Sequence, residues 1–139
     1  MVRLQTLPDW ADDDFTQWAN TQKANALNES AYLCFEKALL YIKDTQRQRE
    51  MYYWMADSRK AQERYADAAQ LYLKSAMHPQ PDNMDPWAQT ARYQAAESLA
   101  RAGLYKDAEV LFEHLLRVTT EPTRQATLKR ELQRLWAMQ

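Results

Sequence analysis

One glycine and one cysteine occur in the 139 residues of this sequence, and each scarcity closes off a class of function. A single glycine leaves no glycine-rich loop to cradle a phosphate and no glycine-flanked elbow to raise a nucleophilic serine. A single thiol, Cys34, forms no internal disulfide, and its place between Leu33 and Phe35 predicts a buried, unreactive side chain. Alternating runs of Val, Ile and Thr are missing, so nothing argues for strands. No apolar stretch reaches the ~18 residues of a membrane span, and Met1-Val2-Arg3 is not followed by the apolar run of a secretory leader. A formal net charge of −1 excludes a generally basic nucleic-acid binder. His78 and His114 stand in a loop and in a helical stretch, each without Cys, His or Asp partners at ligand spacing, so neither a metal nor a cofactor is expected.

What remains is helical in character and suits one domain spanning residues 1–139. Five Trp and eight Tyr exceed what a plain helical bundle needs, which places some rings at contacts or on an exposed wall. One pattern recurs three times, as Ala19, Ala31 and Phe35, then Ala56, Ala68 and Tyr72, then Ala96, Ala108 and Phe112. In each set the first two residues are twelve apart and the last two are four apart. Small residues at that spacing let two helices cross closely while the ring fills the hollow beside them. A unit repeated in this way buries its apolar stripe by stacking on its neighbours.

Caps and breakers set the expected boundaries. Pro8 and Asp9, with Asp12, Asp13 and Asp14, put carboxylates near the start of a helix reaching about residue 26. Asn28, Glu29 and Ser30 read as a polar break and cap, followed by a second helix with Ala31, Phe35, Ala38, Leu39 and Ile42 on one stripe. A third helix is expected over about 46–62 and a fourth over about 66–77, ended by His78-Pro79-Gln80-Pro81-Asp82-Asn83. Asp85-Pro86 opens a fifth as N-cap and first helical residue, and Gly103 closes it in the left-handed conformation. A sixth carries Ala108, Leu111, Phe112, Leu115 and Leu116. Pro122 begins a seventh, with Leu128, Leu132, Leu135 and Trp136 on one stripe. The expected fold is an all-α solenoid of three hairpins, over about 12–44, 46–79 and 85–118, with a capping helix over about 122–138.

Gly103-Leu104-Tyr105-Lys106-Asp107-Ala108 followed by Phe112, and Tyr53-Trp54-Met55-Ala56 with Tyr65, Ala68 and Tyr72, resemble tetratricopeptide repeats. The first unit is degenerate, because Asn28 stands where the corner tyrosine belongs. Spacing also departs from the usual ~34 residues, since Ala31 to Ala68 is 37 and Ala68 to Ala108 is 40. That longer form is similar to repeats in bacterial envelope proteins, such as the outer-membrane assembly lipoprotein and Tol-Pal coordinator families.

The resemblance implies a non-catalytic scaffold, without cofactor, that binds a protein or peptide segment in a concave groove, with a bacterial envelope or periplasmic setting. Its groove would be lined by the first helix of each pair, giving Thr16, Asn20 and Lys23, then Tyr53, Asp57 and Lys60, then Tyr93, Glu97 and Arg101. Repeats that grip a chaperone's terminal carboxylate need Lys and Asn at set places, and only Asn20 falls on one; Thr16, Trp54, Thr90 and Gln94 occupy the others. Charge polarity keeps another class open. Residues 1–30 carry Asp9, Asp12, Asp13, Asp14 and Glu29 against Arg3 and Lys23, a net −3, while 122–139 carries a net +3. Opposed ends suit a self-associating structural module. An accessory part of a larger envelope protein or enzyme, and a small client-masking secretion chaperone, are further alternatives.

Overall fold

In the computed structural model, which describes residues 12–139 and side chains from residue 16 onward, six helices follow one another. They are α1 (Asp12–Leu39), α2 (Thr45–Ala61), α3 (Tyr65–Ala76), α4 (Pro86–Arg101), α5 (Tyr105–Val118) and α6 (Pro122–Met138). Among the described residues there is no strand, and the architecture is all-α. Pro8, Asp9, the carboxylates of Asp12, Asp13 and Asp14 and the ring of Phe15 lie outside what is described.

Helices α2, α4 and α6 begin where the sequence offers an acceptor, whereas α3 and α5 start directly from a turn without a side-chain cap. Asp44 accepts from the Arg47 amide at 3.0 Å to open α2, and Asp85 accepts from the Ala88 amide at 2.8 Å to open α4. Glu121, a residue the caps expected from sequence did not include, accepts from the Thr123 and Arg124 amides at 3.1 and 3.0 Å ahead of Pro122. Those amides hold the Glu121 carboxyl below its ordinary range.

Helices α2 and α3, and again α4 and α5, form antiparallel pairs joined by turns of the same geometry. The amides of Arg64 and Leu104 reach back to the carbonyls of Arg59 and Leu99, both at 2.9 Å. Glu63 and Gly103 occupy the same left-handed position, at φ 60° and 84°. This is the Schellman closure, in which a glycine is favoured because it has no Cβ to clash. The sequence announces it at Gly103 and conceals it at Glu63.

Inside each pair the small-residue crossing forms as its spacing predicts. Ala56, Ala68 and Tyr72 are fully buried together, as are Ala96, Ala108 and Phe112. Ala88, Ala91, Ala95 and Ala96 leave no exposed surface on α4, so α3 and α5 approach it closely from either side. Leu128, Leu132 and Leu135 of α6 close the core over Phe112 and Leu115. Trp136 is exposed instead, its indole N–H donating to Glu109.

The first set of the pattern behaves differently, and the expected break at Asn28, Glu29 and Ser30 does not exist. Helix α1 runs unbroken for 28 residues, about 42 Å by helix rise. The stretch has neither Gly nor Pro to stop it. Asn28 turns its amide back onto the Ala24 carbonyl at 3.0 Å rather than capping a new helix. Ala19 and Ala31 therefore lie on one rod, about 18 Å apart along its axis, and cannot cross. None of the described α1 side chains is buried; Ala31, Tyr32, Phe35, Ala38 and Leu39 are half-buried, and residues 16–27 are exposed throughout. Cys34 is exposed as well, contrary to expectation, because its side of α1 has no neighbour.

Candidate functional site

Helices α2, α4 and α6 present two adjoining hollows, with Thr90 at the seam of both. On one side lies an open aromatic shelf made by Tyr53, Trp54, Pro86 and Trp87. On the other lies a recess of about 230 Å³ with Tyr93, Leu115 and Leu128 as apolar walls and Gln89, Thr119, Thr123, Arg124 and Thr127 as its polar lining.

The shelf is rigid because its rings are tied from below. Tyr53 sits among three rings, with centroids 5.1 Å from Tyr72, 5.3 Å from Trp87 and 5.4 Å from Trp54. The Trp87 indole donates to Ser75 Oγ at 2.8 Å, and that hydroxyl donates to the Arg49 carbonyl at 2.7 Å. Arg49, 5% exposed, sets both guanidinium nitrogens on the Asp85 carboxylate at 2.8 Å. This bidentate pair, with the Ala88 amide and Asn83, holds the Asp85 carboxyl well below the usual carboxylate range. One network thus joins the start of α2, the end of α3 and the first turn of α4. Nearby, Arg92 donates to the carbonyls of Pro81 and Asn83 at 2.8 and 3.3 Å, pinning the proline-rich loop onto α4.

The nine candidates named from sequence separate into three groups. Tyr53 and Tyr93 line the two hollows. Asp57 accepts from the Tyr72 hydroxyl, and Lys60 meets Glu97 at 3.3 Å and Gln94 at 3.0 Å. Arg101 lies over the Tyr65 ring at 5.6 Å. The structure therefore brings Tyr53, Asp57, Lys60, Tyr93 and Glu97 to one face, where Lys60 pairs with Glu97 and Asp57 holds the Tyr72 hydroxyl. Thr16, Asn20 and Lys23 lie on the exposed half of α1 and line neither hollow. Burial pushes the Tyr53, Tyr72 and Tyr93 hydroxyls upward, with Asp57 adding to the first two and Glu131 and Glu97 to the third. These phenols remain protonated hydrogen-bonding groups at neutral pH.

Sequence reasoning missed Trp54, Trp87, Thr90 and the polar lining supplied by α6. The available signal was the pair Thr123 and Thr127, four apart at the start of a helix that was read only as a lid. Among the described residues no group of three or more His, Cys, Asp or Glu side chains is placed to hold a metal ion. Among them, too, no helix is long and apolar enough to cross a membrane. Comparison with protein families, with curated proteins and with solved structures returns no match.

Proposed function

We propose that this chain is a non-catalytic scaffold of tetratricopeptide-like repeats that binds a peptide or protein segment along the face of α2, α4 and α6, within an envelope assembly. The supporting observation is the pair of adjoining hollows that share Thr90. An extended segment laid across that seam meets rings on one side and hydroxyls on the other, a mixture suited to peptide recognition. Two hairpins related by a forty-residue translation, with matching turns, support the repeat reading.

Affinity capture from fractionated bacterial lysate tests this, with the whole chain and a Trp54→Ala, Thr90→Arg variant as paired baits. Both changed residues are exposed, so the variant keeps its core. A partner held by the first bait and lost by the second is the expected result, and the fraction in which it appears gives the compartment. Identical capture by both baits would move the binding site off this face.

One observation favours a second reading, self-association through α1. Leu27, Leu33, Leu40 and Tyr41 of its outer side and following turn are 52–79% exposed. Sedimentation at high protein concentration and low salt is expected to show an oligomer that Leu33→Asp dissolves. A single monomeric species for the unaltered chain removes this reading.

A further inference from the structure

The recess between α4, α5 and α6 has a size and a charge that together specify an occupant. Its volume, about 230 Å³, exceeds the ~150 Å³ cavity that accepts benzene. It falls short of the ~300–1,000 Å³ of sites that enclose a drug-sized ligand or cofactor. One bulky apolar side chain is the fitting size. Leu115 and Leu128 give that side chain an apolar floor, and Tyr93 stands edge-on to Phe112 at 5.7 Å as a fixed wall.

The rim is polar and carries one cation at its edge. Arg124 is exposed, and among the described residues no carboxylate lies within salt-bridge distance of its guanidinium. Glu121 is the nearest acid in sequence, but both its oxygens already accept from the backbone of α6. Further along, Glu131 pairs with Arg134 at 3.2 Å, and Glu97 pairs with Lys60. The acids around Tyr93 therefore have ion-pair partners, whereas among the described residues Arg124 has only the through-space attraction of Glu121, whose oxygens are committed to the helix cap. The Gln89 amide nitrogen donates to the Met84 carbonyl at 2.9 Å, which leaves the oxygen of this lining residue free to accept.

We infer that this recess is the specificity pocket of the proposed binding face, taking one bulky apolar side chain of a partner segment while Arg124 meets an Asp or Glu beside that residue. The partner is thus an acidic segment with a single apolar anchor, and the threonine hydroxyls and Gln89 serve its backbone. This rests on the peptide-binding reading and adds to it the residue type and the charge recognised.

Fluorescence anisotropy with short labelled peptides tests the inference. The probes are one Phe flanked by Glu in a Gly/Ser background, the same peptide flanked by Lys, and the Glu peptide with Phe replaced by Ala. The unaltered chain is expected to bind the Phe/Glu peptide about tenfold more tightly than either control. Arg124→Glu, an exposed change that suits the first turn of a helix, is expected to reverse the preference between Glu and Lys. Thr127→Phe fills the recess and is expected to abolish the dependence on Phe. Equal preference in the unaltered chain and both variants overturns the pocket while leaving the face itself in play. No binding of the Phe/Glu peptide by the unaltered chain also overturns the pocket, and the lysate capture then judges the face independently.

Discussion

Helix α1 and the α4/α5 pair carry the same small-small-aromatic spacing, yet one is an exposed rod and the other a closed crossing. Ala96, Ala108 and Phe112 are fully buried, whereas Ala19 is exposed and Ala31 and Phe35 are half-buried. The difference lies between the alanines. Ala102-Gly103-Leu104 contains the residue that turns a chain most cheaply, whereas Asn28-Glu29-Ser30 does not, although glycine is not required, since Glu63 closes the α2/α3 turn at positive φ. Spacing describes what two helices do once a turn has made them two.

The sharpest way to break this comparison is to truncate the ring of each set. Phe112→Ala and Tyr72→Ala are expected to lower unfolding free energy by about 3–5 kcal/mol in denaturant titrations. Phe35→Ala, removing a half-buried ring, is expected to cost about 1–2 kcal/mol. Equal losses at all three positions would mean that α1 folds back as the spacing alone suggests.

The joints between units come next. Arg49→Met keeps an apolar stem but takes the Arg49 Nε–H from the Ser75 carbonyl and leaves the Asp85 carboxylate with only the Ala88 amide and Asn83 as donors. Asp85 is partly open to water, with a side chain 41% exposed, so the expected loss is about 2–3 kcal/mol rather than the larger cost of a sealed pair. Because the folded state depresses the Asp85 pKa, its contribution is fully present above the unfolded value of ~4 and is lost as pH falls through the folded value. The stability gap between the unaltered chain and Asp85→Asn, which keeps the N-cap, should therefore shrink from about pH 5 towards about pH 2. At the joint of α1 with α2, the buried Arg59 meets the solvent-facing Glu29 at 2.6 Å. Glu29→Gln keeps an oxygen to accept from Arg59 and should lower the unfolding midpoint by less than Arg49→Met does.

Overpacking gives a further contrast. Ala56→Leu or Ala96→Leu should cost about 1–3 kcal/mol by forcing the crossing apart, and Ala19→Leu should stay within about 0.5 kcal/mol. One change has the opposite sign. Glu63→Gly should raise stability by about 1 kcal/mol by relieving a side chain held at positive φ, measured by the same titrations.

How much of this was legible follows from what each feature depends on. The ends of α2, α4 and α5, the proline loop and two of the three expected alanine crossings depend on local residues, and they were readable. The continuity of α1 was not, because Asn28 and Ser30 serve a cap or a helix interior equally well and only the absence of a turn decides between them. Cys34 was misplaced for the same reason, since its apolar neighbours say nothing about whether a second surface exists to cover them. At the candidate site, Tyr53 and Tyr93 were legible as positions on facing helices. Trp87, Thr90 and Arg124 were not, because the hollows exist only where α4 meets α2 on one flank and α6 on the other. Arg49 was hidden altogether, its partner lying thirty-six residues away.

The Asp85 carboxylate also has a mechanical meaning. One of its oxygens caps α4 while both oxygens are held by the two prongs of the Arg49 fork at 2.8 Å. A two-pronged clasp resists rotation, so α4 cannot roll about its axis or slide along α2 without losing its own first turn. Tyr53 and Trp87 hang from the two helices so pinned, and the 5.3 Å contact of their rings is set by that clasp rather than by the length of the loop. A partner that must part these rings has first to unfasten a helix end, which makes the shelf a preformed surface.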